Sequence, residues 1–273
     1  MRAAVLEEDR FGVRDWPDPR PGPGDVLVAL TRVGICGSDV HFAIERSVRP
    51  SFVPIVLGHE PAGRVLEVGP DVDEALIGRR VAVIAMVACH RCDLCRSGRA
   101  RLCRRREVLG ADRHGCWAEF VSVPERNVLP IPDGLPDDVA AVATDAVATA
   151  LHAVRTRGAV GPGARVAIWG AGGLGSCAVA IARTLGAARI DVVDVRPAGA
   201  RAGAGPRGRR RLASRRGGRR SRHGRRRPGV RRALGERGGG DPVAGPRRPG
   251  RRSRDRRGAL LLRRPYGLRD ERA

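Results

Sequence analysis

Four cysteines in the stretch ACHRCDLCRSGRARLC, Cys89, Cys92, Cys95 and Cys103, stand at spacings C-x2-C-x2-C-x7-C. Four thiolates this close together satisfy one tetrahedral zinc ion and leave no position for a substrate, which is the pattern of a structural centre. Seven arginines between 91 and 106 supply positive charge against them. An iron–sulfur cluster takes the same ligands, but short gaps inside a β-rich region suit zinc better. Unliganded thiols on a loop would be a redox liability.

Two further segments carry metal-type residues: GICGSDVH (34–41) and LGHEPAGRV (57–65). Cys36 and His59 offer one soft sulfur and one imidazole. An open catalytic zinc site takes three protein ligands and keeps a fourth position for water or substrate. By themselves the two residues also describe a buried small thiol and a satisfied histidine. A third segment, GAGGLG, sets Gly170, Gly172 and Gly175, with Gly173 and Leu174 between, after one apolar run and before another. Glycines there permit a tight turn and the approach of a pyrophosphate to a helix N-terminus. Asp194 lies 19 residues beyond Gly175. A carboxylate at that place binds ribose hydroxyls and repels a 2′-phosphate, which favours NAD over NADP. Arg196 works slightly against that preference.

The elements that must hold these residues differ along the chain. Residues 1–130 alternate short Val/Ile/Leu runs with Gly, Pro and Asp, the pattern of strands and turns. Residues 137–157 are Ala-rich, lack Pro and stop at Gly158, which predicts one or two helices. A strand over 165–169, a helix over about 174–185 and a strand over 189–195 make one βαβ unit. Phe42 and Trp117 are candidates for a substrate pocket or for core.

In this order and with these gaps, GICGSDVHF, VLGHEPAGRVLEVG, the four-cysteine lobe and VAIWGAGGLG resemble the zinc-dependent medium-chain alcohol and polyol dehydrogenases. The resemblance covers about residues 1–196. It implies an α+β, GroES-like catalytic domain over 1–155 and a partial, truncated α/β Rossmann unit over 156–196. It also implies two zinc ions per chain, NAD, an alcohol or polyol substrate, and a family that is usually homo-oligomeric. By resemblance, Cys36 and His59 ligate the catalytic zinc. Glu60 is the carboxylate that approaches the metal during ligand exchange. Asp39 orients the imidazole, and Ser38 and His41 form a proton relay. The third ligand, usually Cys or Glu, falls on Asp145, which equally serves as a helix cap.

Basic charge is concentrated at one end. Residues 1–196 hold 25 Arg and 24 acids, whereas 197–273 hold 27 Arg and 5 acids. The second stretch also has 16 Gly and 7 Pro, a composition that predicts a disordered tail. Its abrupt start inside a Rossmann pattern reads as an out-of-frame product of a GC-rich gene, which would cripple the enzyme. The alternatives are a zinc-stabilised β scaffold whose tail binds nucleic acid, or an inactive fragment. Among these residues the longest strongly apolar run, VAVIAMVAC (81–89), is too short to span a bilayer. The expected location is the cytoplasm, with reduced thiols.

Overall fold

A computed structural model describes residues 1–195 in full and the backbone of 208–212 and 260–262. The chain opens with a hairpin, β1 (Arg2–Leu6) and β2 (Phe11–Asp15), then a long strand, β3 (Asp25–Gly34). A short helix, α1 (Gly37–Ala43), follows. Next come β4 (Ile55–Val56), β5 (Glu60–Val68), β6 (Arg80–Val83) and β7 (Met86–Val87). A Cys-rich excursion carries one turn, α2 (Asp93–Arg96), and returns through β8 (Glu107–Val108) to pair with β7. β9 (Phe120–Pro124) and β10 (Val128–Pro130) complete the first unit.

The main sheet has the order β10-β6-β5-β3-β9, antiparallel throughout. Alternating valines explain which face is inward. Val26 and Val28, Val81 and Val83, and Val121 and Val123 are each two residues apart, and all six are buried in one cluster. Successive strand side chains point to opposite faces, so each pair lands on the same side. Each buried valine contributes about 1.5–3 kcal/mol relative to exposure. A one-residue slip would move every one of them into solvent.

The stretch predicted as one or two helices is a run of four helical pieces. α3 (Asp137–Val142) leads through a π turn, Ala143–Val147, into α4 (Ala148–Leu151) and a second π segment, His152–Arg157. Small side chains let the run pack closely at both ends. Ala140 and Ala141 meet Ala62, Ala82 and Ile131 of the first unit, whereas Ala150 and Val154 belong to the core of the second.

That second core lies between a parallel sheet, one further helix and the end of this helical run. β11 (Arg165–Trp169), α5 (Gly173–Thr184) and β12 (Arg189–Asp194) form the expected βαβ unit. Val166, Ile168, Ile190 and Val192 face Ala178, Val179 and Ala182 of α5. The sequence names no strand beyond this unit. β13 (Gly208–Leu212) and β14 (Leu260–Leu262) extend the sheet to the order β13-β12-β11-β14, both pairing in parallel. Backbone ladders need no particular side chain, so an Arg-rich composition hid them, and they pair the open edges of β11 and β12. The rest of the expected disordered tail lies outside the described residues. Among the described residues no helix is long and apolar enough to cross a membrane.

Candidate functional site

The β3–β5 register sets Gly34 opposite Glu60. Cys36, just past Gly34, and His59, just before Glu60, therefore leave the same end of the sheet side by side. Two glycines make this possible. Gly58 has φ +91°, and a Cβ there would run into the Trp117 indole. A Cβ on Gly34 would run into the Glu60 carboxylate. Trp117 is core rather than pocket lining: it packs against the Leu6, Ala43, Ile55 and Leu57 cluster, its ring lies 5.9 Å from that of Phe11, and its Nε1–H donates to the Gly34 carbonyl at 3.2 Å.

Asp145 reaches the same place from the π turn between α3 and α4. One ligand atom from each of Cys36, His59 and Asp145 lies within 4.8 Å of the others. His59 Nε2 is 3.4 Å from Asp145 Oδ2. That spacing suits two ligands on one tetrahedral ion, whose edge for bonds near 2.05 Å is about 3.3 Å. Asp145 is inside the helical run, not at its N-terminus, where Pro136 precedes α3. Its Oδ1 accepts a hydrogen bond from Thr149 Oγ1 at 3.1 Å, a partner the sequence reading missed. The signal was present: the two residues are i and i+4 on a helix.

Asp39 is almost wholly buried and faces two ways. Its Oδ2 accepts the Cys36 backbone N–H at 2.9 Å, and its Oδ1 is 3.3 Å from His59 Nδ1. In a neutral, metal-bound ring the proton would sit on Nδ1, beside Asp39, and Nε2 would be the ligating atom, since it is the nitrogen that faces Asp145. Ser38 Oγ is 3.2 Å from the same Nε2. His41 turns toward the surface, with Nδ1 2.6 Å from Glu45 Oε2 and 3.4 Å from Ser47 Oγ. No hydrogen bond joins Ser38 to His41 among the described residues.

The electrostatics of this cluster call for a cation. Burial opposes the charged form of His59, yet Asp145, Asp39 and Cys36 outweigh it and hold the imidazole pKa up at about 12. The His59 contact in turn holds Asp145 below the usual carboxylate range. Glu60 is pushed up by burial and by the Asp145 charge. Its Oε1 is buried without a hydrogen-bond partner. Donors that stabilise one positive charge, beside an orphaned carboxylate oxygen, fit a divalent metal.

The four-cysteine lobe fits one as well. Sγ separations are 3.4 Å for Cys89–Cys103, 3.5 Å for Cys92–Cys95, 3.9 Å for Cys92–Cys103 and 4.0 Å for Cys89–Cys95. A tetrahedron with zinc–sulfur bonds of about 2.3 Å has edges of about 3.8 Å. A multi-iron cluster would place several metal atoms between these sulfurs and spread them further. The Arg91 backbone N–H draws the Cys89 thiol pKa down, while burial and neighbouring sulfurs push Cys95 up.

In the second unit the glycine loop joins β11 to α5. Gly170 has φ +92°, and a Cβ on Gly175 would overlap the Gly170 carbonyl oxygen. Gly172 caps α5, whose first residues are Gly173 and Leu174. Asp194, at the end of β12, is buried, and its Oδ2 accepts the Ala171 N–H at 2.7 Å. The structure thus brings together the glycine loop, the helix N-terminus and the carboxylate.

Known proteins resemble this chain in sequence and in fold. Residues 22–133 match the alcohol dehydrogenase GroES-like domain. The chain is 37% identical over 203 residues to the L-threonine 3-dehydrogenase of Sinorhizobium medicae, covering 72% of this chain and 58% of that one. It superposes with a TM-score of 0.69 and 34% identity on an alcohol dehydrogenase from Thermus sp. ATN1, covering 74% of this chain and 60% of that one. A putative zinc-binding dehydrogenase of Sinorhizobium meliloti 1021, bound to NADP, gives 0.68 and 35%, covering 73% and 58%. The chain spans less than three fifths of the length of the curated relatives it matches.

Proposed function

Since the chain belongs to the family of zinc-dependent medium-chain alcohol and polyol dehydrogenases, we propose that it is built for hydride transfer between a secondary alcohol or polyol and NAD. Cys36, His59 and Asp145 hold the catalytic zinc, and Cys89, Cys92, Cys95 and Cys103 hold the structural one. Residues 1–155 form the zinc-bearing domain and 156–196 the dinucleotide unit. The convergence of Cys36, His59 and Asp145 from three separate segments carries the reading.

When bound, zinc supplies Lewis acidity that lowers the pKa of an alcohol hydroxyl, and NAD supplies the hydride acceptor. The chain's own residues do the rest. Asp39 keeps the His59 proton on Nδ1 and so leaves Nε2 free to ligate. Ser38, beside Nε2, is placed to accept the substrate's proton. His41, joined to Glu45 at the surface, passes it on to solvent, and water or the cofactor ribose must bridge Ser38 to it. Glu60 offers a carboxylate oxygen from the buried side. The N–H groups opening α5 receive the pyrophosphate, with Gly175 letting helix and loop approach. Asp194 binds the adenosine ribose.

The relatives named for threonine and for alcohols point to a secondary hydroxyl as the reacting group. The test is NAD reduction, followed by absorbance, by the zinc-loaded full chain on a panel of secondary alcohols, polyols and L-threonine. Turnover lost in Cys36→Ala and His59→Ala supports the proposal, and turnover kept in both contradicts it.

A further inference from the structure

The geometry assigns to Thr149 the role of a positioning residue: its hydroxyl holds Asp145 to single-oxygen coordination and keeps the fourth side of the Cys36/His59/Asp145 centre open to substrate. The inference rests on the reading of that centre as the catalytic metal site.

A carboxylate beside a divalent cation binds through one oxygen or through both. With both, Asp145 would fill the position that an open catalytic site reserves for substrate. Here the two oxygens are assigned differently. Oδ2 faces His59 Nε2 at 3.4 Å, whereas Oδ1 accepts the Thr149 hydroxyl at 3.1 Å. A lone pair of Oδ1 engaged by a donor is a poorer second ligand.

The helix makes the contact specific. Thr149 is four residues after Asp145, on the same face. A helical threonine commonly turns its hydroxyl to the backbone carbonyl four residues back, which is also Asp145. That carbonyl already accepts the Ala148 N–H. Within this irregular hydrogen bonding, at the π turn Ala143–Val147, the hydroxyl donates to the Asp145 side chain rather than to its carbonyl. Thr149 is otherwise exposed, so replacing it disturbs no core.

Cobalt(II), which reports its coordination number by visible absorption, tests this in the full chain. Subtracting the spectrum of the His59→Ala variant isolates the catalytic cobalt from that in the cysteine lobe. Thr149→Val and Thr149→Ala are expected to lose catalytic-site cobalt to a competing chelator about 10-fold more readily, the usual lower bound for loss of a ligand's supporting hydrogen bond. Their visible bands should weaken as coordination rises above four. Thr149→Ser keeps the hydroxyl and should match the parent. Parent-like spectra and chelator competition in both Thr149→Val and Thr149→Ala would overturn the inference alone. No cobalt signal in the parent-minus-His59→Ala difference would overturn the metal-site reading itself, and Thr149's role with it.

Discussion

Asp39 Oδ1 stands 3.3 Å from His59 Nδ1 while the other oxygen of Asp39 accepts the Cys36 N–H at 2.9 Å. One carboxylate thus stands against the ring of one proposed ligand and holds the backbone of another. Asp39→Asn keeps the shape and removes the charge. It should weaken metal at the catalytic centre about 10- to 100-fold, with the cysteine lobe unchanged. Chelator competition on the zinc-loaded chain measures both.

Gly173 and Gly175 make a matched pair in the first turn of α5, beside the dinucleotide loop. A Cβ on Gly173 meets nothing within 4 Å, whereas one on Gly175 overlaps the Gly170 carbonyl oxygen. Gly173→Ala should leave stability nearly unchanged. Gly175→Ala should cost about 1–3 kcal/mol, the usual cost of overpacking, and weaken NAD. Denaturant unfolding gives the first quantity, and quenching of tryptophan fluorescence on NAD addition the second.

Part of the site was legible because its signals are local. The cysteine spacing and the glycine loop each owe their residue types to geometry within a few positions. The valine alternation likewise announced the first sheet. Cys36, His59 and Asp145 were assigned as one ligand set only through resemblance, because they come from separate segments, Asp145 from a helix 86 residues beyond His59. Its π turn has no propensity signature, and the bond to Thr149 depends on that turn. β13 and β14 were illegible for a different reason: their pairing is made by backbone groups, which composition does not report.

His114 gives the fold a pH dependence. Its ring lies between Trp16 and Phe52, at centroid distances of 5.2 and 5.3 Å, and Nδ1 accepts the Val56 N–H at 3.3 Å. Burial of its inner side lowers its pKa from the ordinary value. The unfolded state therefore binds the proton more readily than the folded one. Stability from this group is present above about pH 6.5 and falls as pH drops toward the folded pKa. Solvent at the ring's exposed edge keeps the effect small. Thermal unfolding of the zinc-loaded chain between pH 7 and 5.5 should show a decline that His114→Asn reduces. Equal slopes in the two proteins would remove the assignment.

The lobe's sulfur tetrahedron leads to a stoichiometric outcome. Cys95→Ser removes one of four ligands, so zinc content should fall by about one equivalent per chain. Metal binding displaces thiol protons, so uptake by the parent should weaken as pH falls. Elemental analysis at two pH values checks both. Unchanged zinc in Cys95→Ser would mean that the lobe is not a metal centre.

The most direct test of the account is anomalous diffraction at the zinc edge from crystals of the zinc-loaded chain. Two peaks are expected: one inside the tetrahedron of Cys89, Cys92, Cys95 and Cys103, and one bounded by Cys36 Sγ, His59 Nε2 and a single oxygen of Asp145. A peak in the lobe with none between Cys36, His59 and Asp145 would contradict the account.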